Sequence, residues 1–171
     1  MNIDYKNQTK YLVKDYVAWR LAKTGYHHWH QANKIDLKAN TQDKLCTAMR
    51  HLAYKFEKIY ESNFSDSLDI TSFNCQDTYL ALIVDLFELS DINSINSDCK
   101  LNETDRFKCN WGLIVGMFSF AGSLAIQLIE KKMTNMIYTI IDLQIEFLIN
   151  NWKISNWIES QGSWVKLFVH R

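Results

Sequence analysis

A chain of 171 residues with 47 % hydrophobic and 13 % aromatic residues can bury one sizeable core and is not a disordered segment. Lys plus Arg equal Asp plus Glu at 19 each, so a formal charge of zero offers no general attraction to nucleic acid or to an anionic membrane. Proline is absent and glycine occurs only 5 times, which disfavours a turn-rich β-sandwich and leaves long helices open.

The N-terminus, Met-Asn-Ile-Asp-Tyr-Lys, has no apolar stretch that reads as a secretory signal. A first helix is expected over about Thr9 to Tyr26, on the apolar positions Tyr11, Leu12, Val13, Tyr16, Val17, Trp19 and Leu21. Lys23-Thr24-Gly25 is its stop. His27, His28 and His30 follow, near Trp29, without the spacing of a metal site. Residues Gln31 to Asp43 read as a polar linker. A second helix is expected over about Leu45 to Glu61, with Leu45, Met49, Leu52, Phe56, Ile59 and Tyr60 at helical spacing.

Phe64 to Gln76 reads as a short helix and turn, and Asp77 to Leu89 as a compact apolar helix. Ser90 to Lys108, rich in Asn, Asp and Ser, reads as a surface loop. Asn110 is placed to cap an apolar run, Trp111 to Ile129, that contains no charged residue. Such a run either spans a bilayer or forms the centre of a helical bundle with neighbours on all sides. Glu130, Lys131 and Lys132 end it. Met133 to Asn150 is an amphipathic helix suited to pack antiparallel beside it, and two short tryptophan-bearing segments surround Trp157 and Trp164. Cys46, Cys75, Cys99 and Cys109 show no paired spacing and read as free thiols of a reducing compartment, although an even count also permits a disulfide. The class is all-α, in a single domain over residues 1–171.

Four stretches carry a family resemblance. Asn110-Trp111-Gly112-Leu113-Ile114-Val115-Gly116, continuing to Phe120-Ala121-Gly122, resembles the first homology motif of the Bcl-2 family of apoptosis regulators. Trp157-Ile158-Glu159-Ser160-Gln161-Gly162-Ser163-Trp164 resembles the second. Ala48-Met49-Arg50-His51-Leu52-Ala53-Tyr54-Lys55-Phe56 through Phe64-Ser65-Asp66 resembles the third, and Tyr11 through Leu21 with Gly25-Tyr26 the fourth. They stand in the family's order and cover most of the chain. The resemblance implies a Bcl-2-like helical bundle with Trp111 to Ile129 as its buried central helix.

It also implies a pro-survival function: an apolar groove that receives the amphipathic death-motif (BH-3) helices of pro-apoptotic relatives, with heterodimers with effectors among its complexes. The expected outcome is that mitochondrial outer-membrane permeabilisation is prevented. The implied groove has Phe56, Tyr60 and Phe64 on one wall, Leu82 and Leu86 on the floor, and Val115 and Phe120 at the base. Gly112 would admit the ligand backbone, and Asn110 would combine helix capping with a polar contact. No catalytic residue, metal or cofactor is implied. The location implied is cytoplasmic, at the mitochondrial outer membrane or endoplasmic reticulum face where a C-terminal anchor exists; this sequence stops at Arg171, just after the second motif. The richness in Asn, Ile and Lys and the lack of proline look more like a viral relative than a cellular one.

Two departures bear on function. The first motif's arginine, usual partner of a ligand aspartate, is Leu113 here; Arg106 or Lys108 in the preceding loop are the candidate substitutes, and binding is expected to tolerate loss of that aspartate. In the third region the small-residue–aspartate pair is Ala53-Tyr54, which makes a poor death signal and a better fixed wall. A pore-forming effector of the same fold is the leading alternative. An enzyme built on the histidines with Cys46, or a scaffold without a groove, are the others.

Overall fold

The computed structural model describes residues 3–27, 39–66, 79–81, 83 and 109–168. Its elements are α1 (Ile3–Lys23), α2 (Ala39–Asp66), α3 (Trp111–Glu130), α4 (Thr134–Asn150), α5 (Trp152–Ser160) and a closing 3-10 turn, Trp164–Phe168. Residues 79–81 and 83 are also helical, and no strand occurs among the described residues. The all-α expectation holds. The 90–108 loop, most of the 64–76 segment and most of the 77–89 helix lie outside the described residues.

The apolar run from Trp111 folds as the centre. By length and composition α3 could cross a membrane, with a mean hydropathy of 1.9 over its most apolar window, yet 67 % of that window is buried inside the protein. It packs against α1, α2 and α4, and every residue from Ile114 to Gly122 is buried. A helix apolar on all faces needs neighbours on all faces, and here it has them. Asn110 caps it as expected: Asn110 Oδ1 accepts from the Leu113 amide at 2.8 Å.

Helix α1 begins at Ile3, two turns before the expected start. Tyr5 lies one turn before Thr9 on the same face as Leu12 and Tyr16, and all four are buried. The Tyr5 hydroxyl donates to the Leu148 carbonyl of α4 at 2.8 Å, which ties the extra turns down. At the other end Gly25 adopts φ +104°, and the Tyr26 amide reaches back to the Leu21 carbonyl at 3.0 Å. That left-handed closure is the stop expected at Thr24-Gly25.

Helix α2 is longer than expected at both ends. It takes in residues 39–43 of the expected linker and runs to Asp66, with a break in helical backbone at Tyr60 (φ −111°, ψ 16°). Small residues and ion pairs hold it in place. Ser119 Oγ donates to the Ala53 carbonyl at 2.5 Å, so α2 and α3 touch backbone to side chain. Between α1 and α3 the approach is equally close: a Cβ on Gly122 would lie 2.8 Å from Tyr16 Cε1 and 3.1 Å from Arg20 Cγ. Two forked arginine–carboxylate pairs join α1 to α2, Arg20 with Glu57 and Arg50 with Asp15. Cys46 and Cys109 are free thiols, as expected for those two; Cys75 and Cys99 lie outside the described residues.

Candidate ligand groove

Leu52, Phe56 and Ile59 recur at i, i+4 and i+7 on α2 and form one wall of an apolar groove of about 250 Å³. Trp111, Gly112 and Val115, from the first turns of α3, form the other. Leu167, from the closing turn, shuts one side, and Lys55 contributes the charged position among the lining residues. Ile59 is 64 % exposed, so apolar surface remains open on this wall. Phe56 and Tyr60 pack ring to ring with centroids 4.4 Å apart, just where the α2 backbone breaks.

The α3 wall is backed by tryptophans from the first and second homology regions. Trp111 meets Trp157 edge to face at 5.2 Å and Trp164 at 6.0 Å. Trp164 is fully buried, stacks on Tyr5, and donates its indole N–H to Thr9 Oγ1 at 2.8 Å. Side chains far apart in sequence thus fix the orientation of the groove's most bulky lining residue. A Cβ added to Gly112 would meet only Asn110 Oδ1, at 3.1 Å, so the lip is open above this position.

Of the expected site residues, Phe56, Gly112 and Val115 line the groove and Tyr60 packs on Phe56 at its margin. Asn110 and Leu113 stand beside the lip. Asn110 Oδ1 is engaged in capping, and Leu113 is half-buried against the core. Phe120 is placed elsewhere: it is fully buried and stacks on Tyr79 at 6.1 Å, more than one turn below Val115. At 3.6 residues per turn, the five positions between Val115 and Phe120 turn the ring roughly 140° around α3, away from the groove and onto the core side. The Phe64 side chain, Leu82, Leu86, Arg106 and Lys108 lie outside the described residues. Leu52, Ile59, Lys55, Trp111 and Leu167 are lining residues that the resemblance left out. The first two were legible in the helical spacing, whereas nothing local marks Leu167.

The lining is apolar apart from Lys55. Burial pushes the nearby Cys109 thiol up to about 12, so it stays protonated at neutral pH and is a weak nucleophile. Among the described residues no three His, Cys, Asp or Glu side chains come together as metal ligands.

Residues 49–164 match the Bcl-2 family of apoptosis regulator proteins. The chain belongs to the Bcl-2 family. It is 26 % identical to chicken (Gallus gallus) apoptosis regulator Bcl-2 over 120 residues, 68 % of this chain and 43 % of that protein. It is 24 % identical to the zebrafish (Danio rerio) Bcl-2-related ovarian killer protein homolog A over 167 residues, 94 % of this chain and 70 % of that protein. The chain therefore spans under half the length of the chicken Bcl-2 relative. Its fold is similar to the crystal structure of chicken BOK, with a TM-score of 0.72 and 18 % identity over 100 % of this chain and 99 % of that one. It is likewise similar to Trichoplax adhaerens trBcl-2L2 bound to trBak BH3, with a TM-score of 0.69 and 20 % identity over 96 % and 97 % of the two chains. The Bcl-2 family is one of regulators rather than enzymes, and the groove walls of this member come from the segments resembling its third and first homology motifs.

Proposed function

We propose that this Bcl-2 family member is a pro-survival regulator that captures the BH3 death-motif helices of pro-apoptotic relatives between α2 and α3 and so prevents mitochondrial outer-membrane permeabilisation. The observation that carries this reading is the open apolar groove of about 250 Å³ with a glycine at its lip. An amphipathic helix recognises such a groove by inserting side chains at i, i+3, i+4 and i+7, and a lip without a Cβ lets its backbone come close. In this reading Phe64, Leu82 and Leu86 extend the wall and floor, and Asn110 and Leu113 border the lip. Action at the cytoplasmic face of the mitochondrial outer membrane or endoplasmic reticulum belongs to the same proposal.

The state of α2 supports a receptor over a signal. Ala53 is fully buried and hydrogen-bonded to Ser119, and Glu57 is buried against Arg20. A segment pinned from both sides serves as a wall. One observation favours the effector reading: similarity to the zebrafish killer protein homolog covers 94 % of this chain.

Binding of a panel of BH3 helical peptides to the wild type and to Gly112→Glu tests the proposal. Sub-micromolar affinity, roughly −8 kcal/mol or stronger, that Gly112→Glu abolishes in a folded protein is expected. Lack of binding by folded wild type would remove the groove reading, and release of vesicle contents by the protein alone would favour the effector.

A further inference from the structure

The groove is electrically one-sided. Its α3 wall belongs to a helix with no charged residue before Glu130, whereas its α2 wall carries Lys55. Lys55 occupies the ridge of α2: it also lines the cleft on the helix's other side, with Trp19, Lys23, Thr47, Arg50, His51 and Tyr54. Three carboxylates of α1 and α2 are committed to other cations. Asp15 is held by Arg50, Glu57 by Arg20, and Glu61 lies 3.7 Å from Lys58. None of these pairs includes Lys55, and the cleft it shares adds the positive charge of Lys23 to that side, since Arg50 there is matched by Asp15.

A lysine in such a place lays its methylene stem along the apolar wall and keeps its ammonium at the rim. A helix docked in the groove would cover the stem and draw the ammonium out of part of its water. That is unfavourable unless the helix offers a compensating acceptor. We propose that the groove's occupant is an amphipathic helix whose flank facing α2 is acidic, and that Lys55 selects it by pairing with that carboxylate. The pairing rests on the groove reading above and adds to it the charge of the partner and the rotation of its helix. Leu113 leaves the α3 lip without charge, so the charge in this groove lies on its α2 side.

Two synthetic amphipathic death-motif peptides with the same apolar stripe, one with glutamate and one with lysine at the positions flanking it, would be titrated against wild type, Lys55→Met and Lys55→Glu. Wild type is expected to favour the glutamate peptide by about three- to tenfold, a span set by one attractive pair replaced by a repulsive one. Lys55→Met should lose the preference and Lys55→Glu reverse it. Raising salt to about 1 M, where the screening length is near 3 Å, should collapse it. The same preference in wild type and Lys55→Glu, with both peptides bound, overturns the inference and leaves the groove standing. Binding of neither peptide by the folded wild type overturns both.

Discussion

Arg20 of α1 forks onto Glu57 of α2, with Nε donating to one carboxylate oxygen at 2.9 Å and Nη2 to the other at 2.7 Å, and both residues are buried. Burial alone would lower the guanidinium's proton affinity; the hydrogen bonds and charge of Glu57 outweigh it and hold Arg20 above its ordinary value. Breaking one half of such a pair strands a buried charge, so Glu57→Ala should cost about 3–5 kcal/mol. Removing both charges with apolar residues of similar volume, Arg20→Met with Glu57→Leu, should cost much less. Urea denaturation of the two variants checks this, and equal losses would mean that the pair is not coupled.

Gly122 and Gly112 sit in the same helix under opposite constraints. A methyl at 122 would lie 2.8 Å from Tyr16 Cε1, inside a packed core, so Gly122→Ala should destabilise by about 1–3 kcal/mol. At 112 a methyl would lie 3.1 Å from the Asn110 Oδ1 that caps α3 and must give by a few tenths of an ångström, so Gly112→Ala should cost less stability than Gly122→Ala while weakening peptide binding. Thermal unfolding and peptide titration on the same two proteins separate the effects.

Phe56 and Phe120 should divide in the same way. Phe120→Ala empties a fully buried site against Tyr79 and is expected to cost about 3–5 kcal/mol of stability. Phe56 is half-buried on the groove wall, so Phe56→Ala should show its larger effect as lost affinity for helical peptides. A Phe120→Ala variant of normal stability would contradict its place in the core.

Trp164 joins the closing turn to α1 through its indole N–H and Thr9 Oγ1. Trp164→Phe keeps most of the ring packing and loses that donor, so a cost of about 1–2 kcal/mol is expected. Trp164→Ala also removes the support behind Trp111 and should cost about 3–5 kcal/mol. Only the second should disturb binding in the groove, as peptide titration of both variants would report.

Alkaline pH should unfold the protein earlier than its neutral charge suggests. Burial raises the phenols of Tyr5, Tyr16 and Tyr79 above their ordinary range, and pushes the Cys109 thiol up to about 12. An acid raised in the fold contributes its full stability below its unfolded value and loses it as pH climbs towards the folded value. Ordinary values near 8.5 for Cys and 10 for Tyr place the onset at about pH 9 to 10. Urea midpoints should therefore be level between pH 6 and 8 and fall steeply above that onset. A flat profile to pH 11 would show that these groups titrate normally.

The amino-acid order by itself determined that the chain is helical and where α3 and α4 begin and end, but not the start of α1 or either end of α2. An uncharged run behind a capping asparagine, a glycine stop after Thr24 and apolar residues at helical spacing are local signals, because turns and caps are satisfied within a few residues. The family resemblance rested on short stretches of sequence, and the family match covers residues 49–164. Only the tertiary structure decided what those signals could not hold: that the apolar run is buried, that Phe120 faces the core while Val115 faces the groove, and that Leu167 closes a groove with one wall over a hundred positions earlier and the other over fifty. It decided too that the carboxylates of Asp15, Glu57 and Glu61 go to Arg50, Arg20 and Lys58, leaving Lys55 at the rim. The physical reason is one of range. A helix is made by neighbours three and four residues apart, whereas a groove, an ion pair between helices and the direction a ring faces depend on which surfaces meet when the chain packs.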